Sequence, residues 1–221
     1  MIQEPRLAST TPQPQRRSAT LRATARVYDR LAPLYDWLEA PMEALGGLAR
    51  RRRVIPHAHG TTLEVGIGTG RNLPLYRPDV RLVAVDVSRP MLQRARRRSR
   101  SLGRSVALVQ AAAEALPFRD RTFQTITATC VFCSVADPVG ALEEARRVML
   151  PDGQALLLEH VRPANPVLGS VFDWLSPLTR RLLGPEINRR TEQNVAAAGF
   201  DLAQVRRNGI WREIMARPHS I

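Results

Sequence analysis

An α/β fold on a mostly parallel sheet is what this sequence predicts, and three observations carry the prediction. From Thr61 onward, short apolar or β-branched runs alternate with helix-period segments, the pattern of parallel strands joined by crossover helices. A glycine-rich turn, Gly66-Ile67-Gly68-Thr69-Gly70, follows the first run. Near the end, two alternating segments at 202–206 and 211–216 meet around Asn208-Gly209, a hairpin dipeptide. Five parallel strands closed by an antiparallel pair give a seven-stranded sheet with helices on both faces.

The parallel strands are read at 62–65, 81–85, 106–109, 125–131 and 155–159. The glycine turn lies between the first strand and a predicted helix. A second helix spans 89–101, with Ser88 as its N-cap and Pro90 in its first turn. Residues 137–150 are helical, and Pro151-Asp152-Gly153 turns into the fifth strand. A helix over 189–198 is stopped by Gly199.

Two segments stand outside this core, and both are amphipathic. In the first, Leu21, Ala25, Tyr28, Leu31, Tyr35 and Leu38 recur at helical spacing beside Arg22, Arg26 and Arg30. The second, 166–183, aligns Leu168, Val171, Phe172, Leu175, Leu178 and Leu182, with Pro177 interrupting. The organisation expected is a disordered tail over 1–19, a helical cap over 20–53 and a main domain over 54–221. An amphipathic insertion at 163–188 belongs to the main domain.

The chain has 221 residues, 44% of them hydrophobic, enough for one domain with a real core. No apolar run approaches the ~18 residues that span a bilayer. The first twenty residues carry Pro5, Pro12, Pro14, Arg16 and Arg17 rather than the apolar stretch of a secretion signal. A cytoplasmic location is therefore the expectation.

All 33 basic residues are arginine and the net charge is +13. Residues 1–60 hold ten Arg against five acids, and 61–110 hold ten against three. Residues 111–160 reverse the sign, with four against seven, and 161–221 hold nine against five. Such a field attracts anionic lipid headgroups, nucleic acid or acidic small molecules. Cys130 and Cys133 form a CxxC inside an apolar run that reads as extended strand. There their Cα atoms would lie about 10 Å apart, too far for a disulfide. No second pair completes a metal site, so no metal is expected and both read as small buried residues.

The glycine turn allows a ligand closer to the backbone than a Cβ would permit. Its spacing is GxGxG, and a dinucleotide GxGxxG would need glycine where Arg71 stands. Asp86 ends the second strand, where one carboxylate can accept both hydroxyls of a ribose; a helix-capping or turn role is the alternative.

With these residues in view, the sequence resembles the class I S-adenosylmethionine-dependent methyltransferases, whose fold is Rossmann-like. Within them it is similar to the ubiquinone/menaquinone C-methyltransferases, the bacterial phosphatidylethanolamine N-methyltransferases and the methyltransferase-like thiol S-methyltransferases. The likeness runs from about Tyr28 to Phe200. It is carried by the 28–36 segment, the glycine loop with Asn72 and Tyr76, Val85-Asp86-Val87-Ser88 with Met91-Leu92, and 113–118. Val131-Phe132-Cys133-Ser134-Val135 and Glu159-His160 complete it.

The resemblance implies that Glu64, Gly66, Gly68 and Gly70 line the methionine and ribose portion of the cofactor. It implies ribose binding by Asp86, Val87 and Met91 beside the adenine, and Ala113 and Glu114 at the ring edge. Ala112 stands where the family usually has Asp, so one acceptor for the adenine amino group is missing or passes to Glu114. Methyl transfer from a sulfonium asks mainly for positioning, water exclusion and removal of a proton. His160, at the carboxyl end of the fifth strand, is the candidate base, with a structural histidine as alternative. Tyr28 and Tyr35 either close over the methyl group or pack the cap. His57 and His59 precede the first strand, at the edge away from the ligand side.

The acceptor is expected between the cap and the 163–188 insertion, with Trp37 and Trp174 suited to an interface. A small or lipophilic acceptor fits, first a phosphatidylethanolamine-type amine, then a thiol, then a quinone. Peripheral contact with an anionic membrane, at the inner face, accompanies the lipid reading. Nucleic acid is disfavoured: aromatics are 5%, no stacking platform is visible, and the fourth strand lacks the Asn/Asp-Pro-Pro-aromatic run of base-amino methyltransferases. A non-catalytic membrane- or RNA-binding module and an NAD-dependent oxidoreductase are the competing classes.

Overall fold

The computed structural model describes residues 24–161 and 190–219. The predicted tail at 1–19 and the insertion at 163–188, with Trp174, lie outside the described residues.

Seven strands form one sheet in the order β3-β2-β1-β4-β5-β7-β6. They are β1 Thr61–Val65, β2 Arg81–Asp86, β3 Ala107–Gln110, β4 Phe123–Thr129, β5 Met149–His160, β6 Phe200–Asn208 and β7 Trp211–Pro218. β1 pairs in parallel with β2 and β4, β2 with β3, and β4 with β5. β7 runs antiparallel to both β5 and β6. This is the class I methyltransferase arrangement that the resemblance implies, antiparallel hairpin included.

Alternation along the strands splits the core in two. Leu63 and Val65 face a cluster with Phe123, Ile126, Leu157 and Phe200, covered by α5 (Pro138–Val148) and α6 (Thr191–Ala197). Leu82, Ala84 and Leu156 face the other, covered by α3 (Leu48–Val54) and α4 (Arg89–Ser101). Ser88 caps α4 by accepting the Met91 N–H, and Asp137 caps α5 by accepting that of Gly140.

The cap is broken where the sequence suggests one helix. α1 covers 24–31, a turn at 32–34 contains Pro33, and α2 resumes as Tyr35–Met42. A π-type turn, Glu43–Gly47, then leads into α3. Proline interrupts the first helix because it supplies no backbone N–H.

Three other expectations change. The glycine turn leads to a 3-10 turn, Leu73–Leu75, rather than a helix; Pro74 and Pro78 leave no room for one before β2. Pro151-Asp152-Gly153 does not precede β5 but bulges from it, since Phe123 pairs with Met149 and Thr125 already with Gln154. The CxxC lies beyond β4 rather than inside it, because Cys130 takes φ +56° and turns the chain out of the sheet. Both thiols are free.

Gly153 is required by that bulge. A Cβ there would meet the carbonyl oxygens of Gln124 and Leu150 at 2.9 Å. Gly153→Ala should cost about 1–3 kcal/mol, read as a lower urea midpoint with an unchanged slope.

Candidate active site

At the carboxyl ends of β1, β2 and β4 the chain turns away from the sheet, and a cleft opens there. Its floor holds Gly66, Gly68, Asp86, Val87 and Thr129, and its far wall Met91 and the 111–114 segment. Cys130, Val131, Ser134 and Val135 form the near wall, and Thr24, Tyr28 and Tyr35 the roof. Tyr28 and Tyr35 meet edge-on, ring centres 6.1 Å apart.

The glycine loop is fixed from three sides. Ile67 donates its N–H to the Val85 carbonyl at 3.0 Å, which ties the loop to β2. All three glycines have positive φ, yet they do different work. A Cβ on Gly66 would strike Val131 at 2.5 Å, and one on Gly70 would strike Leu73 at 2.7 Å and the Ala95 backbone at 3.3 Å. A Cβ on Gly68 would meet nothing within 4 Å. The space above Gly68 is open to a ligand, while Gly70 serves the packing of loop on α4.

Asp86 is held by backbone amides. Gly68 N–H donates to its Oδ2 at 2.8 Å and Ser88 N–H to its Oδ1 at 2.9 Å. Burial pushes its carboxyl up to about 6, against the pull of those two amides. An ionised carboxylate offers about four acceptor sites, so these amides do not exhaust it. Ser88 in turn donates its hydroxyl to Asp29 of α1 at 2.6 Å, tying the roof to the floor.

Glu64 lies under the loop, outside the cleft lining. It accepts the Asn72 amide at 2.8 Å, and burial raises its carboxyl to about 7. Asn72 also donates to Thr129 at 2.8 Å and accepts from Arg51 at 3.0 Å. Glu114 lines the cleft, and its Oε1 accepts the Ala136 N–H at 3.1 Å.

A second cavity adjoins the first through Tyr35 and Cys130. Leu31, Leu38, Met42 and Trp211 make its apolar surface, and Glu39, Glu43, Arg51 and His160 its polar one. The Tyr35 hydroxyl donates to Glu39 at 2.8 Å, and Arg51 donates to Glu43 at 2.8 Å. His160 belongs to this cavity rather than to the cleft. Its ring lies 3.4 Å from the Cys133 sulfur, and burial lowers it to about 4, so the imidazole is neutral at physiological pH. Glu159 accepts the Val131 and Phe132 amides at 2.8 and 3.0 Å and holds the loop after β4 in its turn.

Of the sequence candidates, Tyr28, Tyr35, Gly66, Gly68, Asp86, Val87, Met91, Ala113 and Glu114 meet in the one cleft. Glu64, Gly70 and His160 stand outside it. Among the described residues the cleft is lined by two carboxylates and no arginine, in a chain of 33. That suits a cationic ligand and disfavours a pyrophosphate. Sequence reading missed the second cavity, because Arg51 is one of four consecutive arginines. Its signal was the i, i+4, i+8 spacing of Tyr35, Glu39 and Glu43 along one helical face.

Residues 63–157 match the family described as methyltransferase domain. The ubiquinone/menaquinone biosynthesis C-methyltransferase of Hahella chejuensis is 31% identical over 180 residues, covering 76% of this chain and 72% of that protein. The chain is a class I S-adenosylmethionine-dependent methyltransferase. This methyltransferase is also 34% identical over 145 residues to the phosphatidylethanolamine N-methyltransferase of Cereibacter sphaeroides, covering 63% of this chain and 69% of that one. A methyltransferase structure from Thermotoga maritima, titled a possible histamine N-methyltransferase, shares the fold. Its TM-score is 0.68 at 21% identity, covering 88% and 99% of the two chains. The cofactor of the methyltransferase is S-adenosylmethionine, which the carboxylate-lined cleft and the open space at Gly68 fit.

The glycines separate binding from stability. Gly68→Ala should cost about 1 kcal/mol of stability and abolish cofactor binding by calorimetry. Gly70→Ala should cost about 2–4 kcal/mol while any folded fraction still binds.

Proposed function

We propose that this methyltransferase methylates an amine carried on a lipophilic molecule, a phosphatidylethanolamine-type headgroup being the specific acceptor. The observation that carries the reading is the second cavity, which shares Tyr35 and Cys130 with the cofactor cleft. It combines apolar side chains with two carboxylates, a match for an ammonium on a hydrocarbon body. Outside it, Leu34, Trp37, Leu45 and Leu48 are exposed at 62%, 75%, 75% and 39%. With exposed Arg26, Arg30 and Arg52 nearby in sequence, those exposed apolar residues suit peripheral contact with an anionic membrane. Among the described residues no helix is long and apolar enough to cross a membrane. The Cereibacter sphaeroides relative, named for the same reaction, supports the reading from outside the structure.

S-adenosylmethionine supplies a methyl group already activated as a sulfonium. The residues then have divided tasks. Asp86 accepts the ribose hydroxyls, its orientation set by the Gly68 and Ser88 amides. Val87, Met91 and Ala113 enclose the adenine, with Glu114 at its edge and no acceptor from Ala112. Tyr28 and Tyr35 roof the reacting end and exclude water. Quinol C-methylation is the second reading, favoured by the Hahella chejuensis relative.

The deciding experiment offers labelled methyl donor to phosphatidylethanolamine vesicles, quinols and small thiols. Label in the vesicle amine supports the proposal, and label only in a quinol or thioether refutes it. A second test follows from Asp86. Its carboxyl titrates at about 6 and must be ionised to accept both hydroxyls. Cofactor affinity should therefore rise with pH from 5 to 7 and then level off. Asp86→Asn should bind about 10–100-fold more weakly with the pH dependence flattened.

A further inference from the structure

We infer that Tyr35 and Glu39 carry the acceptor's proton away, Tyr35 touching the acceptor nitrogen and Glu39 receiving the proton through it. This rests on the amine reading for its substrate but not for its geometry. Tyr35 lines both cavities, so its ring forms part of the wall between cofactor cleft and acceptor cavity. Its hydroxyl donates to Glu39 Oε1 at 2.8 Å. A carboxylate can only accept, so the direction of that bond is fixed, and the Tyr35 oxygen keeps its lone pairs for an incoming N–H. The Nε2 of His160 lies against the Cys133 sulfur at 3.4 Å rather than against a carboxylate.

The step balances simply. The ammonium gives one proton to the Tyr35 oxygen as the Tyr35 proton passes to Glu39. The freed nitrogen lone pair forms the N–CH3 bond. The S–CH3 bond breaks, and its electron pair stays on sulfur. Tyr35 ends neutral, and the carboxylic acid of Glu39 returns its proton to water.

Glu39 is ion-paired to Arg51 and Arg71, yet burial outweighs both and leaves its carboxyl above the usual range. Burial raises Glu39, opposed by Arg51 of α3 at 3.7 Å, the Tyr35 hydroxyl and Arg71 of the glycine loop at 3.8 Å; Glu43 of the π-type turn raises it further. Burial also holds Tyr35 far above the usual phenol range, as do Glu39, Tyr28 of α1 and Cys130 beyond β4. Tyr35 thus passes a proton on without resting as a phenolate.

The test uses the full chain with labelled cofactor and whichever acceptor the wild-type protein methylates. A quinol or thiol in place of the vesicle amine would remove the amine reading alone, because each must still lose a proton. Tyr35→Phe and Glu39→Gln should each lower kcat on the order of 10²-fold, with KM and cofactor affinity within about threefold. The double variant should be no slower than the singles, Glu39→Asp should recover part of the rate, and Glu39→Gln should lose the acid limb of the kcat–pH profile. In cofactor-free protein, the infrared band of the protonated Glu39 carboxyl should titrate at higher pH once Tyr35→Phe removes its donor. Unchanged kcat and pH profile in Glu39→Gln, an acid limb lost instead in His160→Gln, or an unmoved infrared midpoint would each overturn the assignment.

Discussion

Everything at the ligand end of the sheet depends on the side-chain amide of Asn72. It is 1% exposed and bonded to three elements at once: Glu64 of β1, Thr129 of β4 and Arg51 of the cap. A buried amide with three partners has one rotamer and one position, and the loop that carries it inherits both. Because Gly70 packs against Leu73 just before this point, the path from β1 to β2 is fixed without a helix. Arg51 extends the constraint outward to Glu43 and Glu39. The cofactor cleft and the second cavity are therefore braced by the same network.

A separate latch fixes the cap from above. Asp36 of α2 accepts from the Thr69 hydroxyl at 2.6 Å and from Arg98 of α4 at 2.8 Å, with Arg71 at 3.1 Å and Arg94 at 3.3 Å. Those guanidiniums belong to the densest positive stretch of the sequence, and one carboxylate gathers three of them. Part of the chain's charge excess is thus spent in holding the cap on the glycine loop. The cleft beneath keeps its anionic lining.

The sheet was legible because its signals are local. β-branched runs, a caught N-cap at Ser88 and a hairpin dipeptide need no knowledge of distant contacts, and the strand order follows from the resemblance they carry. Asp86 and Gly68 were legible for the same reason, each standing at the end of a strand. The bulge in β5 was not, because whether Pro151-Asp152-Gly153 precedes a strand or leaves one is decided by pairing with Phe123 and Thr125. Glu64 stands outside the cleft lining because of alternation: on β1 it faces the α3–α4 side with Asn72, while Leu63 and Val65 face the other. The placement of His160 turns on the break in the cap at Pro33 and on the side to which β5 presents it. Neither is a property of a short window of sequence.

The three-residue turn at Leu73–Leu75 has a consequence for which ligands the loop attracts. A long helix begun there would aim the positive end of its dipole, and a row of unpaired N–H groups, at whatever lay above the glycines. Phosphate-binding loops exploit that field. Here proline truncates the element to one tight turn, and little such potential reaches the cleft. A positively charged sulfur can approach the bare backbone at Gly68 without that electrostatic opposition.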